Sequence, residues 1–124
     1  MANVTNWFDL ATADFDRAVK FYSTILGAPV KVMAMGAGPA MGFFPMEGDG
    51  SGGSIIPPGM GPVPGPGGTR VFLNVEGKFD EVLGRVEAAG GKITVPKTLI
   101  DPKTGYFAFF QDTEGNIVGL HSSK

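Results

Sequence analysis

The feature that most constrains this 124-residue chain is that its second half repeats its first. Phe15-Asp16 and Phe79-Asp80 open two helical stretches, and Gly27 and Gly91 close them. The offset is about 64 residues in both cases, long enough for one supersecondary unit. In the first copy, residues 4–10 alternate as a strand, with Val4, Asn6, Phe8 and Leu10 on one face and Thr5, Trp7 and Asp9 on the other. Asp14 is a helix cap, and Phe15, Ala18, Val19, Tyr22, Ile25 and Leu26 form an apolar stripe of helical period. Strands are expected over 29–35, 40–46 and 52–56, with Gly/Pro-rich turns between them.

The second copy reads the same way. A strand over 69–75 precedes a helix over 78–89 with Phe79, Val82, Leu83, Val86 and Ala89 on its apolar side. A strand over 92–97 follows. A hairpin then closes the chain, in which 105–111 and 117–121 flank the polar turn 112–116. Each half is therefore βαβββ: a first module over 1–56, a Pro/Gly segment over 57–68 and a second module over 69–124, all in one domain. The 57–68 segment holds Pro57, Pro58, Pro62, Pro64 and Pro66 among its glycines, so it joins neither sheet nor helix. It reads as a linker between the halves, or also as a flap over a pocket. Two such units bury their apolar faces best by pairing about a pseudo-twofold axis. The expected fold is α+β, a curved mixed sheet from two βαβββ modules around a cavity, and a homodimer is expected to complete that cavity.

Composition narrows the partners. A net charge of −2 without clustered Lys or Arg argues against nucleic acid. No apolar run is long enough to span a membrane, and the amino terminus lacks the pattern of a secretory signal, so a cytoplasmic location is expected. The chain has no Cys, which removes disulfides, thiolate metal sites and a Cys nucleophile, and it has one His. The phosphate-loop pattern that Gly36-Ala37-Gly38 begins is not continued, and no Gly-x-Ser-x-Gly elbow occurs.

The opening Trp7-Phe8-Asp9-Leu10, with Asp14-Phe15-Asp16-Arg17-Ala18-Val19-Lys20-Phe21-Tyr22 and Leu26-Gly27, resembles the first βα unit of the vicinal oxygen chelate superfamily. That group includes glyoxalase I, the bleomycin-resistance proteins and the extradiol dioxygenases. The closing Asp112-Thr113-Glu114-Gly115-Asn116-Ile117-Val118-Gly119-Leu120 resembles its final strand. The resemblance implies four positions where enzymatic members hold a divalent metal with His, Gln or Glu. Here they fall on Trp7, on Gly53 or Ser54, on Arg70 and on Gly119. Indole and glycine offer no ligand and guanidinium is permanently cationic, while Asp9 and His121 are the only other donors nearby. No metal and no other cofactor is expected, which disfavours glyoxalase I and extradiol dioxygenase chemistry.

The candidate ligand-binding residues are Trp7, Asp9, Phe43, Phe44, Arg70, Phe72, Phe107, Phe109, Gly119 and His121. Arg70 either grips an anionic or carbonyl-bearing ligand with its planar fork or pairs with a carboxylate such as Asp9. Trp7 is either a core residue or a wall for a planar ligand. One of each pair Phe43/Phe44 and Phe107/Phe109 lines the pocket, and the pattern does not say which. Met33, Met35, Met41, Met46 and Met60 read as adaptable core filler before pocket lining. His121 is a rim residue or, with a nearby carboxylate, a general base. The Tyr22 hydroxyl is expected to find a backbone partner, and Asp112 and Glu114 read as turn formers. Three functions fit: a metal-independent pocket for a small planar or apolar organic molecule, including an anionic one; a lyase or isomerase working through Arg70, Asp9 or His121; and an interaction module whose cavity is filled. Whether the chain is an enzyme stays open at this point.

Overall fold

The computed structural model describes residues 4–34, 36–48 and 50–124. Strand β1 (Trp7–Leu10) leads into α1 (Phe15–Leu26), followed by β2 (Lys31–Ala34), β3 (Ala40–Phe43) and β4 (Gly52–Ile55). The second half runs β5 (Phe72–Asn74), α2 (Phe79–Arg85), β6 (Lys92–Asp101), β7 (Gly105–Gln111) and β8 (Ile117–Ser122). Asp14 caps α1 by accepting from the Arg17 amide at 3.1 Å. Gly27, at φ +67°, ends it in the left-handed conformation that a side chain would resist.

Both modules form four-stranded mixed sheets, ordered β1-β4-β3-β2 and β5-β8-β7-β6. The outer pairs β1–β4 and β5–β8 are parallel and the others antiparallel, so the sheets repeat one topology. This is the α+β fold of two βαβββ modules that the repeat required. Several boundaries differ from expectation. α2 stops at Arg85, short of residue 89, although Val86 just beyond it is fully buried and Ala89 packs against the core. β6 runs on to Asp101, past the expected end at residue 97, taking in Pro96 where its register with β7 shifts. The expected end of the second strand, Met35, lies outside the described residues. No helix among the described residues is long and apolar enough to cross a membrane.

The helix-bearing sides of both sheets share one core. Phe21 and Tyr22 of α1 meet Phe110 of β7 and, for Tyr22, Phe44 of the first half. Leu10, Ile55, Val82, Ala108, Val118 and Leu120 are among the residues packed with them. Polar bonds reinforce the join. Glu114 Oε1 accepts from the amides of Ala13 and Asp14, and both carboxylate oxygens engage the Arg17 guanidinium, at 2.8 and 3.1 Å. Burial opposes ionisation of Glu114, but Arg17, the Asp14 amide, the Thr113 hydroxyl and the Ala13 amide together hold its pKa down to about 2. The Tyr22 hydroxyl donates to Asp112 Oδ2 at 2.6 Å, so its partner is a carboxylate and not the expected backbone group. Burial pushes Asp112 up from the usual carboxylate range, and burial followed by the Asp112 charge pushes Tyr22 well up. Asp112 also shapes its turn as expected, accepting from the amides of Glu114 and Asn116.

Candidate functional site: two open sheet faces

Because strand side chains alternate, burying Phe8 and Leu10 against the helices turns Trp7 and Asp9 to the opposite side of the first sheet. Register then carries Ser54, Phe43, Met41 and Met33 onto that same side. The Trp7 indole N–H donates to Ser54 Oγ at 3.2 Å, and that hydroxyl donates to Asp9 Oδ1 at 2.9 Å. Ser54 is fully buried, whereas Trp7 is 41% exposed. The Phe43 ring lies 6.1 Å from the indole. Phe44, offered by the sequence as an alternative wall, is a core residue, packed on Phe8 and Tyr22. Gly53 also faces inward, since a Cβ there would run into the Phe8 ring; Ser54 is thus the member of that pair on the site side. Met33, Met46 and Met60 are not core filler, and Met35 lies outside the described residues. Met33 and Met46 are half-exposed on or beside the Trp7 face, because they fall on strand positions that point away from the helices or on the loop after β3.

The second sheet presents the matching face. Phe72, Gly119 and Phe109 share one row across β5, β8 and β7, and Asn74, His121 and Phe107 share the next. The Phe72 ring lies over Gly119, and the Phe109 ring packs at a tilt 5.6 Å from Phe72 and 5.1 Å from Phe107. Arg70 precedes β5, and its guanidinium carbon sits 3.9 Å from the Phe109 ring centroid. It does not pair with Asp9: among the described residues the ion pairs are Arg17–Glu114 and Lys97–Asp80. A cation stacked on a ring keeps its in-plane N–H groups free, so Arg70 remains a donor on an exposed aromatic floor. His121 shares an oxygen of the main chain, with Nε2 2.8 Å from the Thr104 carbonyl, and so acts as donor there. Among the described residues no carboxylate is hydrogen-bonded to its ring, and the Thr104 carbonyl is the group that orients it.

The two faces are equivalent by the repeat: Asp9 is opposite Ser54 in β1–β4 as Phe72 is opposite Gly119 in β5–β8. The sequence profile of the Glyoxalase/Bleomycin resistance protein/Dioxygenase superfamily matches residues 5–120. The chain belongs to that superfamily. Solved structures of similar fold include a glyoxalase/bleomycin resistance protein from Albidiferax ferrireducens T118, 19% identical over 97% of this chain and 98% of that one, with a TM-score of 0.74. The fosfomycin resistance protein FosX of Listeria monocytogenes is 16% identical over 100% and 96%, with a TM-score of 0.69. TnmS3, an antibiotic binding protein from Streptomyces sp. CB03234, is 24% identical over 100% and 99%, with a TM-score of 0.67. No curated protein matches.

Superfamily membership raises the metal question, and the residues at the four positions do not fit an ion. Trp7 and Arg70 are a hydrogen-bond donor and a cation, the Ser54 hydroxyl is engaged twice, and the space beside Gly119 is taken by the Phe72 ring. Among the described residues no three His, Asp or Glu side chains converge to hold one. The chain can offer instead an aromatic and thioether wall on one sheet, and an aromatic wall with one fixed positive charge on the other.

Proposed function

We propose that this protein binds and sequesters a small planar organic anion without a metal, its charged group held by Arg70 and its flat body against Phe72, Phe109 and Trp7. The observation that carries the reading is the Arg70 guanidinium over the Phe109 ring, with no ion-paired carboxylate among the described residues. Where relatives of other chemistry use an ion, a guanidinium supplies positive charge and two parallel donors for a carboxylate or enolate. TnmS3, an antibiotic binding protein, supplies precedent for small-molecule binding on this fold, and nothing more.

The cavity belongs to a homodimer in this reading. Within one chain, Trp7 is 41%, Met33 46% and Phe72 48% exposed on faces turned away from the shared core. Such patches favour a covering partner, and a second copy placed with its first sheet over the second sheet of its mate covers both pairs symmetrically. The protein would act in the cytoplasm, consistent with a chain that has no Cys.

Titration of the purified protein with flat aromatic carboxylates, followed by Trp7 fluorescence, tests the function. Saturable quenching is expected, with the ligand recovered unchanged and affinity falling about tenfold or more in Arg70→Ala, the worth of a charge-assisted hydrogen bond. Recovery of a converted product would instead show an enzyme of the lyase or isomerase type. Absence of saturable binding to any flat anion would defeat the reading.

A further inference from the structure

The seam between the modules holds a groove of about 360 Å3 that the Arg70 reading does not use. Leu10 of β1, Pro62 of the 57–68 segment, Val71, Ile117 and Val118 line it, and Asp9 is the charged side chain among its lining residues. Asn116 is also there, but its amide is spent: Oδ1 accepts from the Gly65 amide, while Nδ2 donates to the Ala11 carbonyl and to Asp112. The first of those bonds ties the Pro/Gly segment to the 112–116 turn, so the segment is a wall of the groove and not only a tether.

Asp9 is held differently from an ordinary surface carboxylate. Ser54, fully buried, donates to Oδ1 at 2.9 Å and is itself fixed by the Trp7 indole at 3.2 Å. Among the described residues nothing donates to Oδ2 and no cation lies within ion-pair distance. An oriented anion with one free oxygen, bordering an apolar groove of ligand-pocket size, is complementary to an ammonium group on a short apolar body.

We infer that this groove is a second binding site, for small primary amines in their ammonium form, with Asp9 as the anchor and Trp7–Ser54 as its positioning relay. It differs from the anion site in its charged anchor, Asp9 on the first module in place of Arg70 on the second, while Trp7 borders both. The test is an amide NMR titration of the full-length protein with 2-phenylethylammonium, its neutral isostere 2-phenylethanol and the anion 3-phenylpropionate. The ammonium should give saturable shifts at Asp9, Leu10, Val71 and Ile117. Affinity should drop about fivefold for the alcohol and for Asp9→Asn, the factor that a half-exposed ion pair commands. Equal binding of amine and alcohol to the wild-type protein overturns the proposal without recourse to any variant. So do shifts centred on Phe72, Phe109 and Gly119, or no saturable shift at all. Equal binding of amine and alcohol, or no saturable shift, leaves the Arg70 site untouched, whereas shifts centred on Phe72 and Phe109 would put the amine on that site's aromatic floor and count against both proposals.

Discussion

The ring of Phe72 occupies the space that a side chain on Gly119 would need: a Cβ at 119 would lie 2.5 Å from Phe72 Cδ2 and 2.7 Å from Cε2. The two residues face each other across the parallel β5–β8 pair, so neither can retreat along its strand. The glycine and the phenylalanine are one feature, a filled fourth position.

Restoring a donor there should therefore fail by itself. Gly119→Glu is expected to destabilise by about 1–3 kcal/mol through overpacking. Adding Phe72→Ala should recover much of that loss, since the ring is what the new side chain meets. Urea unfolding of the two variants checks this; equal destabilisation by the single and the double change would show that Phe72 is not the obstacle.

Acid should loosen the join between the modules. The folded-state pKa of Glu114 is about 2, below its ordinary 4.5. Its contribution is therefore complete above about pH 4.5 and is lost as pH falls toward 2. Glu114→Gln should cost about 2 kcal/mol at neutral pH, discounting for the half-exposed Arg17, and flatten the acid side of the stability curve. Asp112 works in the opposite sense, because its raised pKa lets the folded state take up a proton first. Urea midpoints measured from pH 7 to pH 2.5 read both effects, and parallel wild-type and variant curves would contradict the assignment to Glu114.

Tyr22→Phe removes a buried hydroxyl from Asp112 while leaving the ring in the core. A loss of about 1–3 kcal/mol is expected, the range for leaving a buried acceptor short of a partner. A change below a few tenths would mean that the amides of Glu114 and Asn116 satisfy Asp112 alone.

The open faces make a prediction about assembly. Met33 is 46% exposed and makes no part of the core, so Met33→Glu should leave the fold intact. In a dimer that covers this face, the new charge would be buried and should shift the native mass spectrum from dimer toward monomer. A wild-type protein that is monomeric at all concentrations would remove the interface altogether.

The amino-acid sequence alone determined the module. The 64-residue echo of Phe15-Asp16 in Phe79-Asp80, the strand alternation at Trp7–Leu10 and the cap at Asp14 are local patterns, and local geometry enforces them. It also fixed the side-chain inventory at Trp7, Arg70 and Gly119, an indole, a guanidinium and a bare backbone, because that needs no coordinates. What only the tertiary structure decided was pairing across distance. Phe43 and Phe44 are adjacent in the chain, yet one joins Trp7 and the other the core. Ser54 reaches Asp9 across 45 positions, Glu114 reaches Arg17 across 97, and Arg70 lands on Phe109. A side chain's period says which way it points along its own strand; which neighbour it then meets depends on how sheets register and pack, and that is a property of the whole fold.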